Sequence, residues 1–147
     1  MSEIKIRKAW MGVMAKTAAS RVEEIWNSAN YAPEYTYLRP SEIGGVMVQG
    51  RTGGTGSAFN IGEMTVTRCS VQLSDGTVGH GYVQGRSKRH AEISALVDAL
   101  MQTNISNEVW TLIIEPLNQE IEAAHANKRA KAAATKVEFF TMTRGED

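Results

Sequence analysis

The sequence predicts an α+β fold, an antiparallel β-sheet with N-terminal and C-terminal helices packed on it, and three observations lead to that prediction. Eleven of the thirteen glycines lie between residues 44 and 85, in a segment whose apolar residues alternate as they do in strands. Within that segment Asp75-Gly76 is a hairpin signal, and hairpins join antiparallel strands. The flanking segments carry apolar residues at helical spacing. We therefore expect one domain over residues 1–147.

Two short helices are expected before the sheet. Met11 and Met14 recur at helical spacing, which indicates the first helix. Residues 20–23, Ser-Arg-Val-Glu, match a capping box, in which the serine and the glutamate satisfy the first backbone N–H groups of a helix. Ser20 and Thr17 are therefore interpreted as caps and not as nucleophiles.

Strand patterns follow in three places. Residues 35–38 form a short aromatic candidate that Pro40 closes, and because proline cannot donate to a ladder we place this strand near a sheet edge. Val46 to Arg51 is a second candidate. A Gly/Thr loop at Thr52–Ser57 separates it from a third, which alternates from Phe59 to Leu73 with apolar side chains at odd-numbered positions.

The Asp75-Gly76 turn also predicts how the strands it joins are paired. A two-residue loop sets three cross-strand pairs: Leu73 with Val78, Val71 with His80 and Cys69 with Tyr82. Gly79 and Gly81 then fall on the other face, opposite Gln72 and Ser70. Because the glycines leave little side-chain bulk there, we expect some group to approach that backbone closely.

Helical patterns fill the rest of the chain. Apolar residues recur with i, i+3, i+4, i+7 spacing from Ile93 to Leu100, and Ser87 is expected to cap this helix. A further helical region runs from Glu108 to Ala134, where Pro116 must kink or divide it. The apolar residues from Val137 to Phe140 then indicate a final strand.

The charge balance and the single cysteine exclude several classes of protein. Sixteen Lys and Arg residues balance sixteen Asp and Glu residues, which argues against a nucleic-acid-binding protein or one held to membranes by charge. Cys69 alone cannot form an intrachain disulfide or a thiolate-rich metal site. No apolar run approaches the roughly 20 residues of a membrane span. We therefore expect a cytoplasmic protein without a nucleic-acid or membrane partner.

Three short motifs resemble functional sites, and each has a plain structural alternative. Gly53-Gly54-Thr55-Gly56 could surround an anion with backbone N–H groups, but no Gly-Lys pair completes a Walker loop, so a strand connection and a ligand loop both stay open. His90-Ala91-Glu92 matches half of a zinc deaminase signature whose cysteine half is absent, which favours an ordinary helix start. Cys69 is interpreted as a buried residue; a catalytic thiol would need a base, for which His80 is the nearest candidate. We assign no catalytic residue and no metal site.

A basic turn between the sheet and the next helix is harder to explain by structure alone. Lys88 and Arg89 fall in the first turn of a helix, at the positive end of its dipole, where cations are unfavourable. A bound anion, an acidic patch on another protein or pairing with Glu92 would offset this cost, and all three stay open. The residues assigned to contact with an anion or a partner are Arg51, Arg68, Arg86, Lys88, Arg89 and His90.

Several of these segments, in this order, resemble one known family. They are Trp10-Met11, Gly53–Gly56 with Phe59-Asn60 and Gly62-Glu63, Thr65–Arg68, Gly81–Arg86, Lys88–Glu92, Leu96–Leu100, and Phe139–Met142 with Arg144-Gly145. The chain resembles the G subunit of the bacterial carbon–phosphorus lyase core complex, the PhnG family of phosphonate metabolism. The resemblance covers nearly the whole chain. Ala58 stands where a proline is expected, which alters the stiffness of the Gly-rich segment.

The resemblance implies a role inside an assembly. The family's complex is two-fold and contains H, I and J subunits, of which the I subunit is the expected direct contact of this chain. The I subunit, helped by the G and H subunits and the L protein, displaces adenine from MgATP with a phosphonate to give α-D-ribose 1-methylphosphonate 5-triphosphate. The J subunit later cleaves the carbon–phosphorus bond by radical chemistry with an iron–sulfur cluster and S-adenosylmethionine.

Two functions stay open at this point. The first is a non-catalytic accessory subunit that holds no cofactor itself and has transferase activity only as part of the complex. The second is a subunit that itself binds a phosphate-bearing substrate through the basic, Gly-rich region. Side chains for acid, base or nucleophilic chemistry are not grouped at a recognisable spacing, which favours the first.

Overall fold

The computed structural model describes residues 3–51 and 58–145, and it confirms the α+β fold, with helices from both ends of the chain packed on an antiparallel sheet. The helices are α1 (Glu3–Lys16), α2 (Ala19–Ala29), α3 (Lys88–Leu100), α4 (Ser106–Val109) and α5 (Glu115–Gly145), with a π-helical segment at Trp110–Ile114. The strands are β1 (Tyr35–Arg51), β2 (Ala58–Leu73) and β3 (Val78–Gln84), in spatial order β1–β2–β3. The Gly/Thr loop expected at residues 52–57 lies outside the described residues. Among the described helices, none is long and apolar enough to cross a membrane.

The two N-terminal helices are present, but the second begins earlier than the capping box predicts. Ala18 is the N-cap residue of α2, and its carbonyl accepts from the Val22 N–H at 3.0 Å. Ser20 therefore lies inside the helix and is not its cap. The Thr17 hydroxyl donates to the Val13 carbonyl at 2.7 Å and so closes the end of α1. The predicted Ser20 cap is therefore wrong, because the chain turns into α2 immediately after α1, whereas Thr17 does act as a cap, at the end of α1.

The first strand, β1, joins two segments that the sequence predicted as separate strands on either side of Pro40. It is continuous over 17 residues. Its pairing with β2 shifts register between Tyr37 and Arg39 and again between Arg39 and Glu42. Because β1 is an edge strand, Pro40 can sit at these irregularities without donating to a ladder. The expected edge position is correct, whereas the expected end at the proline is wrong.

β1 and β2 extend past β3 and form a two-stranded ribbon, residues 45–51 and 58–65. β3 pairs only with residues 66–72 of β2, whereas β1 follows β2 along its whole length. A two-stranded ribbon has little stability of its own in water. Val46 and Met47 on this ribbon are exposed, so the ribbon presents apolar side chains that no other described residue covers.

The hairpin of β2 and β3 is antiparallel as expected, but its register differs by one residue from the prediction. The loop has three residues, 74–76, and ends on Gly76 with a positive φ of 92°. Cys69 therefore pairs with Gly81 and not with Tyr82. Cys69 is 1% exposed and Tyr82 is 50% exposed, so this predicted pair is wrong and the two residues lie on opposite faces. An Asp-Gly pair fits both loop lengths, and a left-handed glycine in third place is typical of the longer one.

The same shift replaces the other predicted pairs with Gln72–Val78, Val71–Gly79 and Ser70–His80. It also places Gly79 and Gly81 on the buried face, where α3 packs. A Cβ atom on either glycine would collide with the α3 backbone, at the carbonyl oxygens of Ala95 and Ala91 respectively. Ten of the thirteen α3 residues are buried. The close approach expected at the two glycines is therefore made by α3 itself.

The C-terminal part of the chain is helical to residue 145, so the predicted final strand is wrong. The Glu115 N–H donates to the Trp110 carbonyl, five residues back, in the π-helical segment that precedes Pro116. Pro116 therefore follows an irregular turn that divides α4 from α5, in line with the expected break. Beyond it α5 continues for 31 residues. An Ala-rich helix gains one hydrogen bond for each residue added, whereas a strand would need a sheet edge to pair with.

Candidate functional site

The carboxylate of Asp98, on α3, lies at the centre of a buried polar network. Its oxygens accept from Arg7 Nε at 3.1 Å, Arg7 Nη2 at 2.8 Å, Trp10 Nε1 at 2.8 Å and the His80 backbone N–H at 2.8 Å. Asp98 is fully buried, and the hydrogen bond to it raises the pKa of Arg7. A buried carboxylate is stabilised when each of its oxygens accepts hydrogen bonds, as both oxygens of Asp98 do. Asp98 therefore fixes α1 and β3 to α3.

A second cluster surrounds Glu92 at the start of α3. The hydroxyls of Tyr35 and Tyr37 each donate to its carboxylate at 2.7 Å, and Arg89 Nη1 donates at 2.7 Å. Burial acts to raise the pKa of Glu92, but the two hydroxyls and the guanidinium together lower it below its ordinary value. Burial also raises the pKa of Tyr35, with Glu92 adding to the effect. A cation in the first turn of α3 could be offset by a bound anion, a partner's acidic patch or Glu92. For Arg89 the structure shows pairing with Glu92.

The cysteine and histidine considered as a catalytic pair do not meet. Cys69 is buried, and burial raises the pKa of its thiol. His80 lies on the exposed face of β3, where its Nδ1 atom is 2.8 Å from the Ser70 hydroxyl oxygen. The one-residue register shift is the cause, since it turns His80 away from the face that holds Cys69.

An open cleft of about 810 Å³ lies where the corner between α1 and α2 meets the ribbon and the start of α3. Its apolar walls include Val46 and Met64 of the ribbon and Tyr82 of β3, and its cations are Lys16 and Arg86. None of the described residues that line it is acidic. The cleft therefore combines an apolar wall with positive charge.

His90 lines this cleft from α3, but its ring is committed to the fold. Its Nε2 atom is 2.7 Å from the Met14 carbonyl oxygen of α1, and the side chain is buried. The Ser87 hydroxyl accepts from the His90 backbone N–H at 3.1 Å, which makes Ser87 the helix cap, as expected. Among the described residues no group of three His, Cys, Asp or Glu side chains could hold a metal ion.

Four of the six residues assigned to anion or partner contact lie around the start of α3, but only two share the cleft. Arg86 and His90 line it. Lys88 is exposed outside it, and its carbonyl accepts from the Ser41 hydroxyl at 2.8 Å. Arg89 is turned toward Glu92. The basic turn therefore splits into a residue in the cleft, an exposed residue and a paired residue.

The other two candidates lie on strands. Arg68 is exposed on β2, opposite Tyr82 of β3. Arg51 is the last residue of β1, and its side chain lies outside the described residues.

Two residues of these sites were not predicted from the sequence. Lys16 was missed because a lysine at the end of a helix is ordinary and nothing local links it to Arg86. Asp98 was also missed, although a lone acid inside the apolar run 96–100 was an available signal.

Relatives of the chain decide its family. The sequence matches the family described as "Phosphonate metabolism protein PhnG" over residues 5–145. The chain belongs to the PhnG family. A protein of Rhizobium meliloti (strain 1021) named "Alpha-D-ribose 1-methylphosphonate 5-triphosphate synthase subunit PhnG" is 38% identical to it over 141 residues, which are 96% of this chain and 90% of that protein. The resemblance drawn from the sequence motifs is thereby confirmed.

The PhnG match includes every site described above. Residues 5–145 contain the Asp98 network, the Glu92 cluster and the described residues that line the cleft. All three therefore lie within the part of the chain that matches the PhnG family.

Proposed function

We propose that this chain is a non-catalytic, accessory subunit of the carbon–phosphorus lyase core complex in the cytoplasm. In this proposal it works with the I subunit when a phosphonate displaces adenine from MgATP, giving α-D-ribose 1-methylphosphonate 5-triphosphate. The observation that carries the proposal is the 38% identity, over nearly the whole of both chains, to a subunit of the synthase that is named for this product.

The assembly supplies the chemistry in this proposal. The I subunit is the direct partner and holds the transferase centre, and the H and J subunits complete the complex. MgATP is the co-substrate of the transfer, and the iron–sulfur cluster and S-adenosylmethionine act on the J subunit. This chain contributes binding surface and holds no cofactor.

The hydrogen bonds of the buried Asp98 and His90 and of the partly buried Glu92 support an accessory role. Asp98 joins three elements through four hydrogen bonds, and Glu92 accepts three. His90 is bonded to the Met14 carbonyl of α1. Each of these groups is engaged in holding the fold together, whereas a general acid or base must be able to reach a substrate proton.

Release of adenine from MgATP and methylphosphonate tests the proposal. We expect no release by the purified chain alone, and release when the I and H subunits and the L protein are added. Omitting only this chain from the complete mixture is expected to reduce adenine release to the background. Heat-denatured chain added back serves as the control. Adenine release by the chain alone, or full activity without it, would contradict the proposal.

A second candidate function is direct binding of a phosphate-bearing substrate by the basic region. The observation that favours it is the position of Arg86 and Lys16 in an open cleft lined by no acidic residue among those described. Titration calorimetry of the isolated chain with MgATP and with methylphosphonate separates the two functions. The accessory role predicts no heat of binding from either compound.

A further inference from the structure

We propose that the cleft between the α1–α2 corner and the ribbon is a docking groove for a segment of the I subunit. That segment would bring a carboxylate to Lys16 and Arg86 and an apolar side chain to the wall formed by Val46 and Tyr82. This inference rests on the proposed function, because it assumes that the chain works inside an assembly.

The charges in the cleft are the first step of the argument. Within the described residues, the ion pairs of the chain join Arg7 to Asp98, Arg21 to Glu24 and Glu120, and Arg89 to Glu92. Lys16 and Arg86 take part in none of them, although the chain as a whole has equal numbers of acidic and basic residues. Two cations that share a cleft with no lining carboxylate are complementary to an acidic group from outside.

The apolar wall is the second step, and it selects a protein segment over a small anion. Val46 is 41% exposed and Tyr82 is 50% exposed, and Met64 lies beside them in the cleft. A phosphate group would be held by the cations and would leave this wall in water. Protein interfaces combine aromatic and aliphatic contact area with charged groups at the rim, which is the arrangement found here.

The backbone that presents the two cations is held firmly, which is the third step. Lys16 lies between Met14, whose carbonyl is bonded to His90, and Thr17, whose hydroxyl is bonded to α1. Arg86 follows Gly85, which has a φ of 106° and whose N–H donates to the Thr65 carbonyl at 2.9 Å. A site whose backbone is already ordered loses less conformational entropy when a partner binds.

Binding of the chain to the purified I subunit, measured by surface plasmon resonance, tests the groove. The cleft variant is Lys16→Glu combined with Arg86→Glu. We expect its dissociation constant to rise at least about 100-fold, because the new carboxylates repel the acidic group of the partner. Its melting temperature is expected to fall by no more than about 4 °C, because an acid in the last turn of α1 is unfavourable to the helix dipole, while neither side chain has an ion pair to lose among the described residues.

The matched control is Lys128→Glu combined with Lys131→Glu, two exposed cations of α5 that do not line the cleft. It changes the net charge by the same amount, so it shows how much of any loss comes from net charge alone. We expect its dissociation constant to stay within about threefold of wild type. Tyr82→Ala tests the apolar wall without a change in charge, and we expect a loss of about tenfold.

The outcomes separate this inference from the function on which it rests. Loss of binding by the cleft variants but not by the control supports the groove. Equal binding by all variants, or equal loss in the control, overturns the groove while the I subunit stays a partner. If the cleft variants bind the I subunit normally but lose heat of binding with MgATP or methylphosphonate, the occupant is a small anion and the groove is likewise overturned. Failure of the wild-type chain to bind the I subunit overturns the proposed partner, and the groove with it.

Discussion

Two helices of this chain both contain several alanines but have opposite surroundings. In α3, ten of thirteen residues are buried. In α5, every residue from 122 to 137 is exposed; this stretch is called the distal part of α5 below. Part of the difference comes from what each helix meets. α3 lies against Gly79 and Gly81 of β3, where the missing side chains let the helix backbone approach, and its Asp98 is bonded to α1.

This contrast has two causes: α3 has an apolar stripe and a glycine-lined sheet face that receives it, whereas residues 122–137 are mostly alanine and polar residues. α3 is held from two sides, by the sheet and by α1, so we expect it to unfold only with the whole domain. The exposed residues of the distal part of α5 gain helix hydrogen bonds but little burial, so this part is expected to open locally at much lower free energy.

Replacing Asp98 by alanine is expected to have the largest effect. The substitution leaves the Arg7 guanidinium, the Trp10 indole N–H and the His80 backbone N–H without their acceptor. The Arg7 side chain is 37% exposed and can be hydrated, so the cost comes mainly from the Trp10 and His80 N–H groups, at about 1–3 kcal/mol for each buried group left without a partner. Urea unfolding measures this loss of stability. A change below about 1 kcal/mol would show that the network does not hold α1 on α3.

Adding a methyl group at Gly81 is expected to have the next largest effect. In Gly81→Ala the Cβ atom would meet the Ala91 carbonyl oxygen of α3, so the helix or the strand must move. Overpacking of this kind costs about 1–3 kcal/mol. Gly62→Ala is a suitable control, because a Cβ atom there has open space around it. Equal melting temperatures for the two variants would contradict the close contact between α3 and β3.

The Glu92 cluster predicts a pH-dependent contribution to stability. The pKa of Glu92 in the folded chain lies below its ordinary value, so its contribution is complete above the unfolded-state pKa of about 4.3 and is lost as the pH falls through the folded-state value. We expect Glu92→Gln to cost about 1–2 kcal/mol at pH 7, since three hydrogen bonds to a charged group are weakened. The difference from wild type should shrink as the pH is lowered below about 4.3. A constant difference between pH 7 and pH 3 would contradict this account.

A pair of matched substitutions is expected to give the smallest effect and to compare the two helices directly. Glycine costs about 1 kcal/mol relative to alanine inside a helix. In α3, Ala99→Gly should lower the free energy of global unfolding by at least that amount, since Ala99 is fully buried. In the distal part of α5, Ala132→Gly should leave it unchanged within about 0.3 kcal/mol. Equal losses in the two variants would show that α5 unfolds with the body of the domain.

Local patterns predicted the elements of the fold better than the contacts between them. The α+β class, the hairpin, the edge position of β1 and the Ser87 cap each depend on a few neighbouring residues, and each was predicted correctly. The hairpin register depends on whether the turn takes two or three residues, and Asp75-Gly76 permits both. The final strand was wrongly predicted because residues 137–140 are apolar enough for a strand, while the helix before them simply continues.

The candidate site was predicted only in part, for a similar reason. Arg86 and His90 were singled out because they surround a helix start, and both line the cleft. Lys16 comes from the other end of the fold, and only the packing of α1 against α3 brings it to the same cleft. The sequence predicted that some group approaches the backbone at Gly79 and Gly81, because these residues have no side chains. It did not show that this group is α3.

The Asp98 network also sets the order in which the chain can fold while it is being synthesised. Arg7 and Trp10 precede Asp98 by 91 and 88 residues. At about 5–20 residues per second, a ribosome needs roughly 5–18 s to make that stretch. During this interval the apolar faces of α1 and α2 have no α3 to pack on. A nascent chain that stops before residue 98 would expose the buried side of Trp10, Met14 and Trp26, which makes such fragments suitable substrates for chaperones and proteases.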